Sequence, residues 1–247
     1  MAYHALTEPP RNVKECMDWL IALKGKDPGK NLKALGEAVY KFLADKPVGK
    51  MQVPALEKVK HVSEVFLRRQ CIRDQPFVRE LLQRFNKPMD KNPKKFGNVI
   101  KGVEESDYKN VVKARGKVVD AYQKFSDEIK HPKHYMSAYS SKDTWDASCA
   151  QDLEACAVVL VGITPMLYAG IRSLRDASHD ETYSWMSLKK KKNLGKVLET
   201  VGYKEPECRA GMSGSDVLKV FRVMDKEALD IIYDFAAFQA FYWALIL

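Results

Sequence analysis

Apolar residues recur along most of this chain at the three-and-four spacing of a helix face, and turn residues punctuate them at short intervals. Asn12, with Glu15 three positions on, forms a capping-box variant, and Val13, Cys16, Met17 and Leu20 follow on one face until Gly25. After Asp27-Pro28-Gly29 a second face carries Leu32, Leu35, Val39, Phe42 and Leu43 and closes at Asp45-Lys46-Pro47. Pro54 suits the first turn of a third helix bearing Leu56, Val59, Val62 and Phe66. Pro76 opens a fourth through Phe77, Val78, Leu81, Leu82 and Phe85. The longest periodic run lies between Ser106 and Lys130, through Tyr108, Val111, Val112, Val118, Val119, Tyr122, Phe125 and Ile129.

A loop over 131–147, with Tyr135, Tyr139, Ser140, Ser141 and Trp145, then marks the expected boundary between two halves. A helix is expected from Ala147 to Arg175, bent or broken near Pro165. A connector over 176–187 leads to a helix with Leu194, Val197, Leu198 and Val201, ended by Gly202. Ser215 is placed to cap a short helix with Val217, Leu218, Phe221 and Val223, and a final helix starts at Asp225. No stretch shows convincing strand alternation. The pattern therefore predicts an all-α protein, a multi-helix bundle of roughly eight to ten helices with no substantial sheet. Its expected parts are an N-terminal half, 1–135, and a C-terminal half, 136–247, which are also compatible with one continuous domain.

Two apolar stretches invite comparison with a membrane span, which needs about 20 apolar residues. Ala155 to Ile171 carries no charge but contains Gly162 and Pro165, and reads as a buried core helix. The tail from Phe235 to Leu247, with Phe235, Phe238, Phe241, Tyr242 and Trp243, is open to two readings: a core helix, or a membrane- or partner-facing segment. No Lys or Arg follows it as an interfacial anchor. The N-terminal residues do not read as a secretory signal, because Pro9, Pro10, Lys14, Glu15 and Asp18 interrupt any apolar run.

Charge adds less than its size suggests. Forty-one Lys and Arg against 32 Asp and Glu give +9, which admits nucleic acid, anionic membrane or an acidic protein as partner without choosing among them. Part of the excess lies in two lysine-rich connectors. Lys94 and Lys95 belong to the irregular stretch 87–102, and Lys189, Lys190, Lys191 and Lys192 form an uninterrupted run. These six are the candidate partner or anion surface. They lack the interleaved arginines and stacking aromatics of nucleic-acid readers, so nucleic acid is disfavoured. The final segment from Asp225 has the opposite sign, with Asp225, Glu227, Asp230 and Asp234 against Lys226. With 46% hydrophobic and 30% charged residues, the chain is neither disordered nor a disulfide miniprotein.

Five cysteines, Cys16, Cys71, Cys149, Cys156 and Cys208, are too few and too scattered for a complete disulfide framework. One or two bridges stay open, so the compartment does too. Cys149 and Cys156, if both helical, stand two turns apart, about 10 Å of rise, which is too far for a bond. His131 and His134 with these cysteines make a poor zinc set, since Pro132 disfavours a helix there. Gly211-Met212-Ser213-Gly214 fits a helix-capping turn better than a nucleophile elbow. No catalytic, metal or cofactor-binding residue is assigned.

The block PPRNVKECMDWLIALKGKDP, residues 9–28, resembles the opening of surface and secreted antigens of Babesia-type piroplasm parasites, notably the variant erythrocyte surface antigens. Asn12, Lys14, Glu15, Asp18, Trp19, Gly25, Lys26 and Asp27 carry the likeness. Residues 39–50, 137–149, 153–170 and 201–210 resemble a narrower, multicopy set from the same parasites. The resemblance implies an exported or surface-displayed, variable, non-enzymatic protein acting in host-cell interaction, adhesion or immune evasion. It further implies a host or parasite protein as partner, no ordinary signal peptide, and a membrane span near the C-terminus. The named antigens are much longer, so here the apolar tail would be a shortened span. The alternative is an intracellular or secreted helical scaffold whose lysine-rich face binds nucleic acid or anionic membrane. A hydrolase with an unrecognised site is a third class.

Overall fold

The computed structural model describes residues 3–44, 54–86, 120, 135–139, 145–183, 192–204 and 212–223. Among these residues the chain forms seven helices: α1 (Val13–Lys24), α2 (Pro28–Ala44), α3 (Pro54–Leu67), α4 (Pro76–Asn86), α5 (Leu153–Thr182), α6 (Leu194–Val201) and α7 (Gly214–Val223). They contain no strand, only an isolated bridge between Tyr3 and Tyr139. The fold is all-α, as the periodicity predicts, with seven helices among the described residues against the eight to ten expected of the whole chain. The run 106–130 and the final segment from Asp225 lie outside the described residues, apart from Asp120.

Local chemistry sets the helix ends. Asn12 Oδ1 accepts from the Glu15 amide at 3.0 Å, and Asn12 Nδ2 donates to Glu15 Oε1 at 2.7 Å. Gly25, at φ 52°, stops α1 in a conformation that L side chains rarely adopt. Asp27 Oδ1 then accepts from the Lys30 amide at 3.1 Å, with Pro28 in the first position of α2. Asn193 caps α6 through the Lys196 amide, and Gly202, at φ 110°, closes it. The cap of α7 is Ser213 rather than Ser215: its hydroxyl accepts from the Asp216 amide at 3.3 Å, while Asp216 Oδ2 accepts from the Ser213 amide at 3.1 Å. That reciprocal pairing uses a carboxylate three residues on, which a hydroxyl at 215 would not have.

The long helix α5 is the centre of the fold and packs against α3, α7 and α2 most extensively, then α6 and α1. Its bounds correct the expected ones. Residues 145–151 are turn, Asp152 caps the helix through the Ala155 amide at 2.9 Å, and the helix continues to Thr182. Pro165 does not break it. Proline removes the amide that would bond the Val161 carbonyl, and the Thr164 hydroxyl donates to that carbonyl instead, at 2.7 Å. Ser63 of α3 donates to the neighbouring Gly162 carbonyl at 2.6 Å. The carbonyl deprived by the proline is thus satisfied by a hydroxyl, and the next carbonyl also accepts one from α3.

Two glycines let other helices approach α5. A Cβ on Gly162 would overlap Val59 of α3, and one on Gly170 would overlap Val13 of α1. Helix α5 is long and apolar enough to cross a membrane by length and composition, but 78% of its apolar window is buried inside the protein. It acts as a core helix among the described residues. One apolar cluster takes in Leu6, Trp19, Leu35, Phe66, Ile163, Val197 and Val217, so segments from both sides of residue 136 share a core.

Candidate functional site

The sequence candidates divide by where they fall. Lys94, Lys95, Lys189, Lys190, Lys191, Phe235, Phe238, Phe241, Tyr242 and Trp243 lie outside the described residues, as do His131 and His134. Lys192 is described, and it is turned inward. Its ammonium donates to Asp176 Oδ2 at 2.8 Å and to Gln75 Oε1 at 3.0 Å, and its amide donates to Asp180 Oδ2 at 3.2 Å. Gln75 Nε2 continues the chain to Ser173 Oγ at 2.9 Å. The lysine therefore ties the segment before α6 to α5 and to the turn before α4. Among the described residues no group of three or more His, Cys, Asp or Glu is placed to hold a metal ion.

The richest polar assembly forms around α1 and involves the block that carries the family resemblance. Asp18 is almost fully buried (2% exposed) and accepts from Lys14 Nζ at 3.1 Å, the Ala138 amide at 2.9 Å and the Tyr135 hydroxyl. Lys14 also donates to the Met136 carbonyl at 2.8 Å and lies over the Tyr135 ring. Glu15 Oε2 accepts from the Arg11 amide at 2.7 Å and the Tyr3 hydroxyl at 2.5 Å. The Tyr3 and Tyr139 rings stack with centroids 4.6 Å apart. Burial, reinforced at Tyr3 by the Glu15 carboxylate, pushes both phenols well above the ordinary tyrosine range. Burial also pushes the Cys16 thiol up, helped by Glu15 and Asp18. These groups are consequently neutral hydrogen-bonding or packing elements at physiological pH.

Further anchors extend from this cluster. Trp19 is fully buried and its indole N–H donates to the Leu6 carbonyl at 2.7 Å. Arg69, in the turn after α3, donates to the Thr200 carbonyl at 2.5 Å and the Arg11 carbonyl at 3.2 Å, joining the last turn of α6 to the segment before α1. Burial lowers its pKa, with Glu15 opposing. At α7 the bond from Ser213 holds the Asp216 carboxyl below its usual range.

Cys149 and Cys156 form a disulfide, with Cα atoms 5.6 Å apart and both residues fully buried. This corrects the expectation that the two are too far apart. That spacing assumed that both were helical, whereas Cys149 sits in the turn and only Cys156 is in the first turn of α5. The missed signal was Asp152: a cap there starts the helix after Cys149 and lets the chain double back. Cys16 is buried and free, and Cys71 is exposed and free. Beside the disulfide, a surface depression of about 340 Å³ is lined by Thr7, Pro9, Lys58, Val59, Asp152 and Glu154, among others. Its two carboxylates outnumber its one ammonium among these residues, and its walls come from the N-terminal segment, α3 and the start of α5.

No family model, curated protein or solved structure matches this chain.

Proposed function

We propose that this protein is a non-enzymatic helical antigen of a blood parasite, exported or displayed at the host-cell surface, acting in host-cell interaction or immune evasion. The observation that carries the reading is the buried Cys149–Cys156 disulfide. Such bonds persist in oxidising environments and are rare where thiols are kept reduced. The likeness of residues 9–28 to piroplasm antigens supplies the class. Asn12, Glu15, Asp18, Trp19, Gly25 and Asp27 are occupied in capping, turning and packing. Under this reading the block is scaffold, and recognition falls to exposed surface elsewhere.

The reading is tested by surface biotinylation of intact parasitised erythrocytes, followed by peptide mapping under non-reducing, thiol-blocking conditions. Labelled protein with Cys149 linked to Cys156 is the expected result. Protein labelled only after the cells are permeabilised, with both cysteines blocked as free thiols, would overturn it. That outcome would return the chain to the alternative of an intracellular scaffold.

A further inference from the structure

Residues 3–8 form a strap whose middle and ends are held by different parts of the chain. At one end the Tyr3 amide donates to the Ala138 carbonyl at 2.8 Å and the Tyr3 hydroxyl donates to Glu15. At the other, the Tyr139 hydroxyl donates to the Glu8 carbonyl at 2.9 Å. The middle is Leu6, fully buried, whose carbonyl accepts from Trp19 and whose amide donates to Ser148 Oγ at 3.1 Å. Ser148 immediately precedes Cys149. The same turn carries Trp145, whose Cβ would lie 3.1 Å from a Cβ on Gly25. Just beyond Leu6, Thr7 and Pro9 line the depression beside the start of α5.

We infer that the disulfide is a redox latch on the middle of this strap. A dithiol reductant breaks the S–S bond, Cys149 and Cys156 each gain a proton and share the two electrons, and the reductant closes to its own disulfide. Two thiols sit at van der Waals rather than bonding distance. Both cysteines are fully buried, so the extra volume has to come from movement of their surroundings. Cys156 belongs to α5, which is fixed by packing against all six other described helices. Cys149 belongs to a turn that packs Trp145 and Cys149 into the core but has no helical ladder, its backbone held by local hydrogen bonds, Ser148 and Ala150 to Trp145 and Asp152 to Ser148. The turn is the side that moves. Ser148 moves with it, the Leu6 amide loses its acceptor, and the wall formed by Thr7 and Pro9 loosens. The Tyr3, Glu15 and Tyr139 contacts do not involve the turn and keep the ends of the strap in place. This device stands on the fold alone and is independent of where the protein acts.

The test is hydrogen exchange of the full chain with and without dithiothreitol, with alkylation of Cys149 and Cys156 confirming reduction. Reduction is expected to speed exchange in peptides covering 4–8 and 145–151 at least about tenfold more than in the middle of α5. Ser148→Ala, with the disulfide intact, is expected to expose the Leu6 amide alone. Unchanged exchange over 4–8 after complete reduction overturns the latch, as does a Leu6 amide still protected in Ser148→Ala. A uniform rise that includes α5 also overturns it, because the bond would then be a global staple.

Discussion

Asp18 shows how much of this fold depends on single polar side chains. Its buried carboxylate collects an ammonium, a phenol and a backbone amide, and two of those donors lie 117 and 120 residues away in sequence. Asp18→Ala is expected to cost about 3 kcal/mol, because Tyr135 and Ala138 lose a buried acceptor and Lys14 its counter-ion. Asp18→Asn keeps an acceptor oxygen and is expected to lose less, as read from urea midpoints of the two variants. The paired phenols give a pH prediction of definite sign. Tyr3 and Tyr139 titrate near 10 in the unfolded chain and higher when folded. Above pH 10 the unfolded state has released protons that the folded state retains, so stability falls as pH rises. Phenolate absorbance from these two tyrosines should appear only with unfolding. Equilibrium stability measured on either side of pH 10 checks the sign, and phenylalanine at both positions should flatten the dependence. Asn12, Glu15 and Gly25 were legible in the sequence because a cap is decided within four residues. Asp18 was not, because its partners come from a segment that only the tertiary fold brings to α1.

At the scale of elements, periodicity located the helices, but side chains on neighbouring turns or helices decided their limits. Pro165 reads as an interruption from sequence, since a missing amide and a crowded carbonyl break isolated helices. It is tolerated because the Thr164 hydroxyl, one residue away, takes the deprived Val161 carbonyl and because the helix is packed on several sides, and only the first of these is visible along the chain. The close approach at Gly162 and Gly170 was likewise invisible, because the colliding atoms belong to Val59 and Val13. Gly162→Ala and Gly170→Ala are each expected to destabilise by about 1–3 kcal/mol through overpacking. Gly29 is the control, since a Cβ there finds nothing closer than Asp27 Oδ1 at 3.8 Å and its φ is ordinary. Gly29→Ala should therefore stabilise by about 0.4–1 kcal/mol. Thermal midpoints of the three variants would separate steric conflict from helix propensity.

Across the whole molecule, α5 carries the connections that a division near residue 136 would cut. It receives Val59 and Ser63 from α3, Val13 from α1 and the Gln75 bond to Ser173. The one covalent link among the described residues lies at its start and closes a short loop. In the chain-entropy account a loop of that size contributes about 2–3 kcal/mol by restricting the unfolded chain. Joint replacement of Cys149 and Cys156 by Ala should lower the unfolding free energy by that amount, read as a lower urea midpoint, with reduced wild type falling to a similar value. The slope of the transition should also change, because an uncrosslinked unfolded chain exposes slightly more surface. A short loop makes that change small, so the midpoint shift is the decisive readout. An unshifted midpoint would mean that the folded state gains as much from release of the turn as the unfolded state gains in entropy. The bond would then act on local order at the strap and not on global stability.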